Sequence, residues 1–262
     1  MKKFEGILLC SDLDNTLKDS NGDISQENIE AIKYFTQNGG AFTFASGRPP
    51  EYFAELSTQF GINTPVIGLN GSAIYDFNIK KYVYSQKLDS IANECFEYVI
   101  NHYADYVVNA CIEHEGTIYE YDKNHRVVNN NRLIAQYEIF KTVEKNEVFF
   151  DMSPEMASRF RKEMLSIDAY KGKLDFVRSW PHCVEILPAT GNKGGGVKAL
   201  KDYLGNITKI VCIGDYENDI SMLKLADIGY AVSNACDELK DCADRITVSN
   251  NESAIAKIIG EL

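Results

Sequence analysis

Short apolar runs alternate with amphipathic stretches over the first third of the chain. Ile7–Cys10 (ILLC) is apolar throughout and predicts a buried strand. "ISQENIEAIKYFTQNGG" carries the helical period, with Ser25 suited to its N-cap, Ile24 and Ile29 spaced for a hydrophobic staple, and Gly39 for a left-handed end. "AFTFAS" is the next strand. "PPEYFAELSTQFG" is a helix opened by proline and closed by Gly61, and "PVIGLNG" is a third strand. Strands without alternation, separated by helices, predict a parallel sheet covered on both faces.

The texture changes after about Tyr84. A helix over Leu88–Tyr103 precedes tyrosine-rich alternating segments such as "GTIYEY". A second helix starts near Pro154, followed by "LDFVRS" and "CVEIL". Alternation of this kind predicts a mixed or antiparallel sheet with one covered face. From "NKGGGVKALKDYLG" the first texture returns, with "KIVCIGD", "IGYAVS" and "RITVS" as strands. The expected organisation is an α/β domain (1–83 and 186–262) interrupted by an inserted α+β domain (84–185).

Composition narrows the function classes. The 262 residues carry a formal net charge of −11, which repels nucleic acid and anionic lipid, so neither is expected as a partner. The same charge repels a phosphorylated molecule at long range, so a phosphate site must work by local arrangement. No apolar run approaches the ~20 residues of a membrane span. "MKKFEG" is followed by only a short apolar stretch, too short for a signal peptide, and a cytoplasmic location is expected. The seven cysteines include no CxxC pair, and Cys10 and Cys212 sit in apolar runs as small buried hydrophobes. The four histidines, His102, His114, His125 and His182, all fall in the insertion. Cys111, His114 and His125 would be the start of a zinc site without an obvious fourth ligand.

Three features end core strands. "DLDNT" brings Asp12, Asp14 and Thr16 after ILLC, "ASGR" brings Ser46, Gly47 and Arg48 after AFTF, and "GDYEND" brings Asp215, Asn218 and Asp219 after KIVCI. Lys193 opens a helix before three glycines. Each has an ordinary reading: a DxD in an acidic chain, a turn before Pro49, a helix cap, a solvated lysine. The ordinary readings leave the order unexplained, since each polar group falls just past a strand of one sheet. In extended chain, residues two apart point the same way, so Asp12 and Asp14 converge at the carboxyl end of a parallel strand, where open α/β sheets bind ligands.

This order resembles the haloacid dehalogenase superfamily of phosphotransferases, and within it the Cof-type phosphatases with a large inserted α+β cap. The resemblance runs from about Ile7 to the C-terminus and is sharpest at "DLDNTL", "ASGRP", "NKG" and "GDYENDISML", with support from "GLNGSAIY" and "VEILP". It implies a Rossmann-like parallel-sheet core and a Mg²⁺-dependent phosphatase acting on small phosphate monoesters, sugar phosphates in particular. It implies Asp12 as the nucleophile that becomes an aspartyl-phosphate, and Asp14 as general acid and then general base. The metal ligands implied are the Asp12 carboxylate, the Asp14 carbonyl and the Asp215 carboxylate, with Asp219 in support. The core halves hold no histidine, and an all-oxygen set suits a hard ion such as Mg²⁺. Ser46 and nearby amides, Gly47 among them, would bind phosphate. Lys193 would neutralise it, and Gly194 would let the helix N-terminus approach it. Asn218 would touch phosphate or Ser46, and Arg48 would bind substrate or form a structural ion pair. Asn15 departs from the glycine common at that position, but asparagine tolerates left-handed backbone and the loop shape should survive.

Rivals are weaker on the same residues. A phospho-acceptor signalling domain is small and keeps its acceptor off the first strand. In "GNKGGG" the lysine precedes the glycines, the wrong order for a P-loop. A mutase or phosphotransferase that passes the phosphoryl group to a sugar shares all four motifs. A silent binding protein would not keep Asp12, Asp14, Ser46, Lys193 and Asp215 together. The expected partner is a small phosphorylated metabolite. The insertion, with the histidines, Trp180 and many tyrosines, would read its leaving group, and crossings near Val83 and Ile186 would serve as hinges.

Overall fold

The computed structural model describes residues 2–60, 62–114, 117–121, 133–135 and 144–262. Two compact units emerge, one of Met1–Tyr84 with Lys193–Leu262 and one of Ser85–Asn192. Gly61, expected to close a helix, and His125, named for a zinc site, lie outside the described residues.

The first unit is built on a five-stranded parallel sheet in the order Arg245–Ile246, Ile228–Ala231, Lys209–Gly214, Ile7–Ser11, Ala41–Phe44. Its central strands are apolar because both faces are covered: Leu8, Leu9, Cys10, Phe42, Phe44, Val211 and Cys212 are fully buried. Cys10 and Cys212 pair directly across the two middle strands as free thiols, in the role of small core residues. Helix Gln26–Gln37 starts where the sequence predicts, with Ser25 accepting from the Asn28 amide at 3.2 Å. It ends at Gly39, whose φ of +94° suits glycine. Gly40 is fixed by packing, since a Cβ there would lie 2.3 Å from the Phe35 ring.

The "PVIGLNG" strand departs from expectation. Val66–Gly68 runs beside Ala41–Phe44, bridged to it at Ala45–Ile67, but pairs in a separate three-stranded sheet with Ala73–Asp76 and Lys81–Ser85. The cause is local. Leu69, Asn70 and Gly71 have φ of 49°, 50° and 109°, and this run reverses the chain into an antiparallel partner.

The second unit has a six-stranded sheet in the order Leu174–Trp180, Cys183–Pro188, Glu147–Asp151, Asn109–His114, Thr117–Tyr121, Leu133–Ala135. It is antiparallel apart from the last pair. Helices Ile91–His102 and Pro154–Ser166 pack with it around Phe96, Phe150, Phe160 and Phe176. Ser153 caps the second helix, whose first residue is proline. The expected return to the core at 186 falls inside strand Cys183–Pro188, and the unit continues to Asn192. The strand cannot be divided there, because Ile186 pairs with Val148 on one side and Phe176 on the other. Among the described residues, no helix is long and apolar enough to cross a membrane.

Phe44 packs against Phe42, Phe53 and Phe60 at centroid separations of 5.6, 5.7 and 6.4 Å. Phe44→Ala should lower unfolding free energy by about 3–5 kcal/mol, read from urea denaturation. A loss much below that range would mean the surrounding rings collapse into the space.

Candidate active site

Register in the parallel sheet assembles the site. Ser11 lies opposite Phe44 on one side and Ile213 on the other. The next residues stay in step, with the Ala45 amide donating to the Ser11 carbonyl at 3.0 Å and the Asp12 amide to the Ile213 carbonyl at 2.9 Å. Asp12, Ser46 and Asp215 therefore leave three adjacent strands at one carboxyl edge. Helix Lys193–Leu204 begins at the same place, because the Lys193 ammonium lies 2.6 Å from Asp12 Oδ1 and 2.5 Å from Asp219 Oδ1. All three partners of this ion triad are buried.

Asp219 is spent on holding the loop. Its Oδ2 accepts the amides of Asp215 at 2.9 Å and Tyr216 at 3.1 Å, while Oδ1 takes Lys193. Gly214 makes room for it, since a Cβ there would sit 2.3 Å from Asp219 Oδ2. The Asp215 carboxylate stays available and accepts a hydrogen bond from Thr16 Oγ1 at 3.1 Å.

Asp14 follows Asp12 but has a different environment. Arg48 donates to both of its oxygens, Nε at 2.7 Å and a terminal nitrogen at 3.1 Å, the two-pronged geometry of a strong ion pair. The Lys18 ammonium is 3.9 Å away. The loop Leu13–Leu17 closes with the Lys18 amide on the Leu13 carbonyl at 2.8 Å, and Asn15 takes φ 59°, ψ 8° at its turn. Asparagine thus holds the left-handed position.

Ser46 is buried, and its Oγ accepts the Arg48 amide at 3.3 Å. The Asn70 amide donates to the Ser46 carbonyl at 3.0 Å, and Asn218 Nδ2 donates to Asn70 Oδ1 at 2.9 Å. Asn218 thus reaches Ser46 through Asn70. Gly47 packs on the same side chain, where a Cβ would lie 3.0 Å from Asn70 Nδ2. The expectation for Gly194 needs correction. Its amide donates to Ser221 Oγ at 3.0 Å, and a Cβ would meet the Ser221 carbonyl oxygen at 2.5 Å. Glycine is required there by helix packing, not by an open amide.

Sequence reasoning assigned no role to Asn70, Thr16, Gly214 or Tyr52. Asn70 gave a signal in "GLNG" just after a strand, since asparagine before glycine marks a left-handed turn. Thr16 depends on a partner 199 residues away, while Gly214 and Tyr52 depend on how nearby loop residues fold back on them.

Electrostatics follow from burial. Desolvation pushes the Asp12 carboxyl up to about 6 even with Lys193 pulling it down. Asp215 is pushed up to about 9 by burial and by the charges of Asp12 and Asp219. Burial opposes the charge on Lys193, but Asp12 and Asp219 more than offset it and hold the ammonium charged. Carboxylate oxygens of Asp12, Asp215 and Asp219 lie within 4.8 Å of one another. Three carboxylates against one ammonium leave an excess of negative charge, and the donors are all oxygen. This set fits a hard divalent cation, with Asp12 and Asp215 the ligands left free by the bonds to Asp219.

Comparison with known proteins agrees with this geometry. The profile of the haloacid dehalogenase-like hydrolases matches residues 9–259. The chain is 29% identical over 97% of its length to a 5-amino-6-(5-phospho-D-ribitylamino)uracil phosphatase of Bacillus subtilis, covering 97% of that protein. It is 30% identical over 95% of its length to a chloroplastic endoribonuclease YBEY of Arabidopsis thaliana, but spans only 45% of that protein. A HAD/COF-like hydrolase from Plasmodium vivax superposes with TM-score 0.82 at 23% identity, over 99% of this chain and 96% of that one. A HAD subclass IIB sugar phosphatase superposes with TM-score 0.79 at 21% identity, over 97% and 98%.

The raised carboxyls give a pH prediction. A carboxyl raised in the folded state contributes stability that is full below about pH 4 and is lost as pH climbs through its folded pKa. In chelator, Asp12 and Asp215 should therefore lower Tm progressively as pH rises through about 6 and then about 9. Added Mg²⁺ should raise Tm, and by more at pH 8.5 than at pH 5.5, because a cation needs the ionised carboxylates. A Mg²⁺ increment independent of pH, read by thermal scanning, would place the cation elsewhere.

Proposed function

Since the chain belongs to the haloacid dehalogenase-like hydrolase family and is a phosphatase of that family, we propose that it hydrolyses small phosphate monoesters through an aspartyl-phosphate on Asp12, with sugar and sugar-alcohol phosphates as the substrate class. The observation that carries the reading is the buried Lys193 ammonium 2.6 Å from Asp12 Oδ1, at the edge where Ser46 and Asp215 also end their strands. The class of alcohol is supported by the name of the Bacillus relative, whose substrate is a phosphorylated ribityl chain.

In the first half-reaction an Asp12 oxygen bonds to phosphorus as the bond to the alcohol oxygen breaks, and Asp14, carrying a proton taken up from water, gives it to that oxygen. In the second, water attacks the same phosphorus, Asp14 takes the proton, and Asp12 is released with inorganic phosphate. Lys193 holds the Asp12 carboxylate in one orientation and lends positive charge to the transferred group. Ser46 Oγ donates to a phosphate oxygen, and the Asn218–Asn70 pair holds Ser46 in place. Mg²⁺ is the proposed cation, held by Asp12, Asp215 and the Asp14 carbonyl, and when bound it would neutralise the phosphate dianion that these carboxylates otherwise repel.

Two outcomes test the reading. Asp12→Asn keeps the shape but removes the attacking charge, and should lower kcat on a panel of phosphate esters by at least about 10³-fold in protein whose circular dichroism shows it folded. Near-normal turnover would overturn the covalent step. Chelation should abolish activity and Mg²⁺ restore it, while Ca²⁺ should inhibit, because its larger and looser shell holds the nucleophile less well. Activity restored by Zn²⁺ alone would overturn the oxygen-only site.

A further inference from the structure

Arg48 grips Asp14 with two hydrogen bonds, yet an exposed arginine is a poor fixed point. Its side chain is 39% exposed and lies on a loop between a strand and a short helical turn. A long, rotamer-rich side chain in water loses much of its orienting value to its own freedom. Here that freedom is removed by Tyr52. The guanidinium carbon sits 4.3 Å from the centre of the Tyr52 ring, in cation–π range. The Lys18 ammonium lies 5.4 Å from the same ring centre and donates to the Tyr52 hydroxyl at 3.2 Å. Lys18 also reaches Asp14 at 3.9 Å. One aromatic ring thus carries both cations that converge on one carboxylate.

The ring itself is anchored. Tyr52 lies in the turn Pro50–Phe53, whose start is fixed by proline, and its ring packs edge-on against Phe53 at 5.7 Å. Phe53 is fully buried and stacks on Phe44 in the strand that leads to Ser46. Tyr52 itself is 44% exposed, so its hold on Arg48 rests on the turn and on Phe53 rather than on burial of the ring.

We infer that Tyr52 is a positioning residue for the reaction: its ring holds the Arg48 fork, and the fork holds the Asp14 carboxyl at the angle from which it hands a proton to the departing alcohol. The inference rests on the proposed role of Asp14 and acts only through it. Tyr52 touches neither phosphorus nor nucleophile, so its loss leaves Asp12, Lys193 and Ser46 as they are. The effect falls on proton transfer alone, which separates it from a general weakening of the site.

Leaving-group chemistry isolates that step. An alkyl alcohol cannot depart from phosphorus without a proton, whereas para-nitrophenolate departs without one. The experiment measures alcohol or phenol release in the first turnover, with Mg²⁺ present, for a sugar phosphate and for para-nitrophenyl phosphate. Tyr52→Ala should slow the sugar ester by about 10- to 100-fold, the scale of a misplaced proton donor, and the aryl ester by less than about 3-fold. Arg48→Lys keeps the charge but loses the fork and should give the same split. Tyr52→Phe keeps the ring and should restore most of the sugar-ester rate. An equal loss on both esters in Tyr52→Ala, or no loss on either, would overturn the inference. Asp14→Asn is the reference: if it shows the split and Tyr52→Ala does not, Tyr52 fails as a positioning residue. If Asp14→Asn itself treats the two esters alike, the acid role of Asp14 fails, and the inference fails with it.

Discussion

The buried ammonium of Lys193, shared between Asp12 and Asp219, is the constraint that the core unit is arranged to satisfy. A buried charge without partners costs several kcal/mol, so the helix that starts at Lys193 can dock only where two carboxylates already wait. Those carboxylates come from the segments that follow two neighbouring strands, and their approach requires Gly214 beneath Asp219 and Gly194 against Ser221. The triad in turn fixes the loop after Gly214, because Asp219 also takes the amides of Asp215 and Tyr216. One bridging ammonium thus ties the end of the first strand, the loop after Gly214 and the helix that starts at Lys193 into one geometry. Its removal would leave two buried like charges facing each other.

Much of this was legible in the sequence because parallel sheets translate order into place. Three strands that stay in register deliver their next residues to one edge, so Asp12, Ser46 and Asp215 can be brought together from nothing more than their distance past ILLC, AFTF and KIVCI. Capping chemistry is equally local, which is why Ser25, Gly39 and Asn15 behave as their residue types require. What stayed hidden depends on contacts between distant segments. Gly194 looks like a phosphate-loop glycine until Ser221 is seen against it. Asn70 becomes the link between Asn218 and Ser46 only once residues 148 apart in sequence meet. The PVIG segment looks like a core strand because it is apolar, and its turn into a second sheet is decided by three positive-φ residues after it. The insertion continues through the CVEILP strand to Asn192, so its far edge lies just before NKGGG, where the first texture returns, and not at 186.

Net charge and site charge pull in opposite directions. At −11 the chain offers no long-range attraction to an anion. Within the site, Lys193, Arg48 and Lys18 are each paired with a carboxylate. Such a site has little basic surface with which to collect phosphates indiscriminately. Binding of a dianion would depend on charge supplied together with it, which is the chemistry that an oxygen-lined divalent site provides.

Two aspartates one residue apart would be a liability if they shared an environment, since like charges at close range suppress each other's ionisation. The fold separates them by partner and by exposure. Asp12, with 9% of its side chain exposed, looks inward to Lys193, whose ammonium comes from a helix 181 residues later. Asp14, with 27% exposed, looks outward to Arg48, delivered by the neighbouring strand and steadied on Tyr52. The left-handed Asn15 belongs to the same solution, because it turns the chain immediately after Asp14 and brings Thr16 back to Asp215. A single DxDN run therefore presents one carboxylate to the buried cluster and one to the more exposed side where Arg48 lies. The two roles proposed for these residues need that difference in surroundings, and it arises from which cation each one meets.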